Sequence, residues 1–205
     1  MQIFSKNVLE LPFYHKLAIV LLLSVLYWSV GAPTFFWEAK AAQLTNLSHT
    51  LSDSDLGVAA SSTIRFTATE AIYPSQTIKI QFDPSTSAFT QAYTTATSSE
   101  ISLNAGGTYY TVVSSCTAGN QTTVVGNYNG GSDENVTFTI CSGASAIATS
   151  TIVSILVGTS TGSILTNPSS AGSYVTRISG TMSNSGDARV AIIDDVVVTA
   201  SVDTT

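Results

Sequence analysis

The sequence predicts an all-β protein, a single antiparallel β-sandwich preceded by an apolar segment near the N-terminus. Two observations predict the sandwich: apolar residues recur at every second position in several short runs, and turn-forming residues separate these runs. A third observation, one long uncharged stretch early in the chain, predicts the N-terminal segment. At 205 residues the chain has the length of one domain with a small appendage.

The uncharged stretch, Leu17–Trp37, follows a region with two lysines and precedes a short sequence of small residues. The small residues are Ala39, Ala41 and Ala42. A basic region, an apolar region and an A-x-A site in this order are typical of a secretory signal peptide, cleaved here after Ala41 or Ala42. The alternative is an apolar helix retained as a membrane anchor, because the run is long enough to span a hydrocarbon core of about 30 Å. Both interpretations export the rest of the chain.

The chain therefore divides into residues 1–42, a signal peptide or N-terminal membrane anchor, and a domain over residues 43–205. Ser and Thr make up 55 of these 163 residues, and four bases stand against eleven acids. This acidic balance excludes nucleic acid as a partner, because phosphate binding needs a basic patch. A segment rich in Ser and Thr can be a disordered stalk, but the apolar alternation throughout it favours a folded domain.

Five runs carry the alternation of antiparallel strands that have one face in a core and one in water. They are STIRFTATE at 62–70, QTIKIQFD at 76–83, NVTFTIC at 135–141, SYVTRISG at 173–180 and VAIIDDVVVTASV at 190–202. Turn residues separate the strands at 73–75, 83–85, 105–107, 129–131, 167–169 and 185–187. By comparison with known sandwiches, the pattern predicts roughly eight to ten strands.

Residues 86–99 are the least patterned part of the domain and predict either a long loop or a weak edge strand. Exposed edge strands pair with other chains unless charge or proline prevents it, and this domain has few charges. We therefore predict self-association of the protein through its sheet edges.

The domain has two cysteines, Cys116 and Cys141, which in an exported protein most simply form one disulfide. Closing this loop stabilises the fold by about 3 kcal/mol in the chain-entropy model. The alternative is a pair of buried free thiols. Two cysteines and one histidine do not complete a tetrahedral zinc site, so no cofactor is predicted from them.

No enzymatic activity is predicted. His49 is the single histidine of the domain, so a nucleophilic triad has one candidate base. It lies in the alternating stretch LTNLSHTLSDSD, which predicts a solvent-facing histidine on a strand. Serine-hydrolase, P-loop and zinc-protease motifs do not occur in the sequence, and no acid stands in the apolar setting that a glycosidase requires.

Two acidic pairs are candidate calcium ligands. They are Asp53 with Asp55, and Asp194 with Asp195. Calcium takes six to eight oxygen ligands, which extracellular sandwiches place at loops between strands. The alternative is a solvated turn for the first pair and a bulge or strand end for the second.

Exposed aromatic residues are candidates for a ligand platform, since sugars stack on aromatic faces. Tyr109 and Tyr128 are the two that we single out in the domain. They favour a carbohydrate- or ligand-binding module as an alternative function. A subunit of an edge-paired surface assembly is the third interpretation.

Three stretches carry a resemblance to a known group of proteins. They are residues 44–55, QTIKIQFDPS at 76–85, and ILTNPSSAGSYVTRISGTMSNSGDARVAIIDDVVVTASVD at 164–203. Together they resemble the Ig-like β-sandwich modules of secreted surface proteins from uncultured, small-genome bacteria of the candidate-phyla type. The resemblance implies an Ig-like extracellular sandwich with a structural or adhesive role at the cell envelope, whose partners are envelope or surface components. It implies no catalytic residues.

Overall fold

A computed structural model describes the chain in several segments. These are residues 13, 15, 17–22, 24, 42–86, 88–91, 100–127, 134–158 and 165–194. The chain divides into two compact units, Met1–Lys40 and Ala41–Thr205. In the first unit residues 17–22 are helical. No helix among the described residues has both the length and the apolar character needed to cross a membrane.

The second unit consists of short strands. They are β1 (Ala42–Gln43), β2 (Thr45–Leu51), β3 (Ala59–Ala60), β4 (Ser62–Thr67), β5 (Thr77–Phe82), β6 (Thr90–Gln91), β7 (Ile101–Ala105), β8 (Thr108–Val112), β9 (Gln121–Asn127), β10 (Asn135–Ile140), β11 (Ile152–Val157), β12 (Leu165–Thr166), β13 (Gly172–Ser179) and β14 (Asn184–Ile192). The all-β prediction is confirmed. Ten of the described strands have five or more residues, and the four others have two each.

Eleven strands form one sheet in the order β1-β14-β13-β5-β10-β9-β8-β7-β11-β4-β2, and β3, β12 and β6 form a second, small sheet. The large sheet begins with β1 and ends with β2, which are consecutive in sequence. It is therefore nearly closed, with Leu44 as the link between its two ends. We call β2, β4, β11, β7 and β8 the first half, and β9, β10, β5, β13 and β14 the second half.

The core lies inside this curved sheet and follows from the period-two patterns. Alternate residues of each strand point inward, so that the runs at β4, β5 and β10 each contribute two or three fully buried side chains. The largest fully buried side chains of the domain include Phe66, Phe82, Phe89, Phe138, Ile64, Ile78, Ile80 and Leu103. These residues belong to one hydrophobic cluster that is shared by both halves.

Two details of the predicted architecture differ from the structure. An Ig-like sandwich with two separate sheets is not confirmed, because β8 and β9 pair with each other and join the halves into one sheet. The predicted turn at 185–187 is wrong, because these residues lie inside β14 and the chain reverses at 180–183. Gly186 allows close packing instead, since a Cβ there would lie 3.0 Å from Cδ2 of Leu47 and would push that side chain aside.

The remaining strand predictions are partly covered by the structure. Within the uncertain segment 86–99, Thr90 and Gln91 form β6 of the small sheet, and residues 87 and 92–99 lie outside the described residues. The last predicted run, 190–202, continues β14 as far as Ile192, and its part from 195 onward also lies outside them. Edge pairing with another chain stays a prediction.

Candidate functional site

A row of polar side chains crosses the outer face of the first half. Arg65 on β4 is opposite Ser48 on β2 and Ser154 on β11. Ser154 is opposite Asn104 on β7, which in turn is opposite Tyr109 on β8. Because each of these residues has at least one buried neighbour in its strand, the five side chains share the outer face. The row therefore spans five neighbouring strands.

A shallow groove of about 680 Å³ follows this row. Its lining residues are Thr63, Arg65, Ser102, Asn104, Gly107, Tyr109, Ser154 and Leu156. A second depression, of about 280 Å³, shares Arg65 with the groove, is also lined by Ser48 of the row, and continues toward Ile152. The face thus combines hydroxyl groups, one amide, one guanidinium and one aromatic ring, in a volume within the usual range of ligand sites.

Arg65 is the cation of this face. It is exposed, and the described residues provide it with neither an ion-pair nor a hydrogen-bond partner. The two other arginines of the domain differ in this respect. Arg177 forms a bidentate ion pair with Asp187, and Arg189 donates to the carbonyl oxygen of Ser173. Arg65 therefore presents its donors to the groove.

Tyr109 stands at the β8 end of the row and is 72% exposed. Its neighbour Tyr110 points inward, with its hydroxyl donating to the carbonyl oxygen of Ser145, and this anchors the alternation that turns Tyr109 outward. Between Arg65 and Tyr109, the side-chain oxygen of Asn104 accepts a hydrogen bond from the backbone N–H of Gly107. Tyr128, the second predicted platform residue, lies outside the described residues.

The predicted disulfide is confirmed. Cys116 and Cys141 are bonded, with their Cα atoms 5.5 Å apart. The bond ties the loop between β8 and β9 to the end of β10, where the N–H of Cys141 also donates to the carbonyl oxygen of Gln121. It therefore lies beside the short pairing that joins the two halves.

The prediction of a solvent-facing His49 is wrong, because its side chain is 8% exposed and lies in the interior. One ring nitrogen, Nε2, is hydrogen-bonded to Ser62, and the other, Nδ1, lies 2.7 Å from Oγ1 of Thr176. Desolvation by burial lowers the pKa of His49 to about 4, so the ring is neutral at pH 7. Both hydroxyl partners are fully buried, so the group links the two halves instead of facing a substrate.

The fold brings Asp55 of the first acidic pair near Asp194 of the second in the backbone. Asp55 forms a parallel bridge with Ile193, the residue before Asp194. The side chain of Asp53 accepts a hydrogen bond from the N–H of Asp55. This contact is typical of a turn, which was the alternative interpretation of the first pair. No three acidic, histidine or cysteine side chains of the described residues converge to hold a metal. Asp195 lies outside them, and calcium binding stays a prediction.

Asn167 and Glu134 are buried polar residues that the sequence analysis did not single out. The Asn167 amide group donates to the carbonyl oxygens of Asp53 and Asp55 and so fixes their loop. Glu134 is 3% exposed, and its Oε2 has no hydrogen-bond partner among the described residues. Burial raises the pKa of Glu134 to about 7. The sequence carried no signal of this burial.

The residues of the predicted cleavage site are only partly described. Ala39 and Ala41 lie outside the described residues, whereas Ala42 begins β1 and is paired with Asn184. Cleavage after Ala41 would leave β1 intact.

Comparisons with known proteins add one likeness. No protein-family model matches the chain, and no curated protein matches it either. Among solved structures, the chain is similar to the crystal structure of BslA, described as a bacterial hydrophobin. The match covers 73% of this chain and 98% of that one, with a TM-score of 0.40 and 11% sequence identity. At this level we infer neither a family nor a function from the likeness.

Proposed function

We propose that the protein is a non-catalytic, exported β-domain with a structural or adhesive role at the cell envelope or surface. The observation that carries the proposal is the disulfide between Cys116 and Cys141, because such bonds persist in oxidising compartments outside the cytosol. The apolar segment Leu17–Trp37 with its A-x-A site supports the same location.

The chemistry of the domain supports a non-catalytic role. His49, the one histidine of residues 43–205, is held neutral between two buried hydroxyl groups. The groove of the first half consists of exposed hydroxyl, amide, guanidinium and phenol groups, which suit reversible contacts. The resemblance to secreted surface modules of small-genome bacteria agrees with this role.

The experiment is protease treatment of intact bacteria that express the full chain. We expect external protease to degrade the protein, and the purified protein to have a mass two hydrogens below the reduced value. The matched control replaces Leu21 and Leu22 with Arg in the apolar segment, which should keep the chain inside and protected. A wild-type chain that is protected in intact cells and contains free thiols would overturn the proposal.

A second function, binding of carbohydrate, is favoured by one specific observation. The exposed ring of Tyr109 ends a row of hydrogen-bonding side chains along a groove of about 680 Å³. Aromatic faces stack against ligands while polar neighbours fix their orientation. A glycan array tests this function, and we expect binding that Tyr109→Ala abolishes. The control is Tyr73→Ala, at an exposed tyrosine outside the groove, which should leave binding intact. An array without any signal would exclude this function.

A further inference from the structure

We propose that the groove of the first half binds an oligosaccharide that carries a carboxylated sugar, with the carboxylate on Arg65 and another sugar ring on Tyr109. This inference rests on the second proposed function, carbohydrate binding, and names the class of glycan. It follows from the charge, the spacing and the chemistry of the residues in the row.

Arg65 supplies the charge selection. A guanidinium presents a planar fork of N–H donors that matches a carboxylate in a bidentate manner. Among the described residues, Arg65 has no such partner and the lining of the groove contains no Asp or Glu. An exposed fork in the middle of a hydroxyl-rich face is therefore suited to a carboxylate that comes with the ligand.

Tyr109 supplies the second contact and sets the length of the ligand. Arg65 and Tyr109 lie in one cross-strand row on β4 and β8, with β11 and β7 between them. Three strand spacings of roughly 4.8 Å separate their backbones by about 14 Å. One sugar ring does not reach across this distance, so the ligand is an oligosaccharide.

The residues between Arg65 and Tyr109 carry hydrogen-bonding groups. Ser154 and Asn104 lie in the row, and Ser102 and Thr63 lie in the adjacent one on either side of Leu156. Hydroxyl and amide groups both donate and accept, which matches the hydroxyl groups of neutral sugars. The middle of the groove therefore suits uncharged sugar units.

The charge of the whole domain limits how acidic the glycan is. Residues 43–205 carry four bases and eleven acids, so a densely charged polyanion would be repelled. One guanidinium in the groove accommodates one carboxylate. The ligand is therefore a mostly neutral glycan with a single uronic or sialic acid unit, and not a polyuronate.

The experiment measures binding by the exported, purified protein to matched pairs of oligosaccharides. The pairs are sialyllactose with lactose, and a glucuronate-containing trisaccharide with its methyl ester. We expect each acidic member to bind at least tenfold more tightly than its neutral partner. Arg65→Gln should remove this difference, and Arg65→Lys, which keeps the charge but not the fork, should give an intermediate affinity.

The matched controls are Arg189→Gln and Tyr73→Ala, which change a cation and an exposed tyrosine outside the groove and should leave affinity unchanged. Circular dichroism establishes that each variant is folded. Equal affinity for acidic and neutral members, or a preference that survives Arg65→Gln, would overturn the inference. If neutral glycans bind and Tyr109→Ala abolishes their binding, carbohydrate binding stands without the carboxylate; if no glycan of the panel binds, both fail.

Discussion

The two places where the halves of the sheet meet are built in different ways. At the first junction, β8 and β9 pair in parallel through only two residue pairs, Thr111 with Gln121 and Val112 with Thr122. The N–H of Thr111 donates to the carbonyl oxygen of Asn120, and the N–H of Val113 donates to that of Thr122, so the contact extends by one residue at each end. The disulfide then ties the connecting loop to the end of β10.

At the second junction the chain itself passes from one half to the other. Leu44 is buried between β1, which pairs with β14, and β2, which pairs with β4. Farther along, His49 on β2 is hydrogen-bonded to Thr176 on β13. Near the start of β14, Asn184 accepts from the N–H groups of Thr69 and Glu70.

The comparison shows that two junctions with little strand pairing are stabilised by different additional interactions. The first junction has few hydrogen bonds and relies on a covalent bond, so its strength depends on the redox state. The second junction relies on buried polar side chains that are fixed by their partners, so its strength depends on pH. Each dependence can be removed separately by substitution.

The largest effect is expected at the first junction. Replacing Cys116 and Cys141 with Ala should lower the free energy of unfolding by about 3 kcal/mol, because the unfolded chain regains the freedom of an open loop. Urea denaturation of wild type and variant measures the change. Reducing agent should lower wild-type stability to that of the variant and leave the variant unaffected. A midpoint that does not move would show that the junction is held by its hydrogen bonds alone.

At the second junction we expect an effect of pH through His49. Its pKa is about 4 in the folded state and about 6.5 when unfolded, so the unfolded chain takes up the proton first as pH falls. Above pH 6.5 the titration of His49 does not reduce the free energy of unfolding. Between pH 6.5 and pH 4 it reduces this free energy progressively. At pH 5 the loss amounts to about 2 kcal/mol relative to pH 7.5.

This effect is measured against His49→Gln, whose amide retains hydrogen bonding without a titration near neutrality. Glu134 acts in the opposite direction, because its raised pKa of about 7 increases stability as pH falls from 7 toward 4.5. Its contribution is common to both proteins and cancels in the difference. Parallel urea midpoints for wild type and H49Q between pH 7.5 and 5 would contradict the prediction.

A smaller effect is expected for Asn184→Ala. The Asn184 side chain is buried and makes hydrogen bonds with both Thr69 and Glu70. Removing it leaves their backbone N–H groups unpaired, but Glu70 is exposed and water can reach it. We expect a loss of about 1.5 kcal/mol in the free energy of unfolding. Asn104→Ala, at an amide away from both junctions, is the control, and equal losses in the two variants would contradict a special role for Asn184.

The two junctions also show how far sequence reasoning reaches. The strands around Phe66, Phe82 and Phe138 were predicted because period-two alternation is a local property of the chain. The disulfide was predicted because a pair of cysteines in an exported domain has one simple pairing. The features that the sequence did not predict depend on contacts between residues far apart in the chain. The buried His49 ring, for example, is hydrogen-bonded to Thr176, 127 positions away.

The groove was predicted only in part, for the same reason. Tyr109 was singled out as an exposed aromatic residue, and the structure agrees. That Arg65 lies in its row depends on the order of β4, β11, β7 and β8, which places segments from distant parts of the sequence side by side. Alternation shows which way a side chain points, but not which strand lies next to it.

The smallest effect is expected away from both junctions, at the ion pair between Arg177 and Asp187. These residues are directly opposite on β13 and β14, and their side chains are about half exposed. The hydrogen bond from Arg177 lowers the pKa of Asp187, so the pair stabilises the fold above the unfolded pKa of Asp187, and this contribution decreases as pH falls. Solvent screening limits it to about 0.5 kcal/mol. We expect D187N to change the urea midpoint little, and R177Q/D187N to change it no further. A loss as large as that of Asn184→Ala would show that pairing within a half limits stability as much as the junctions do.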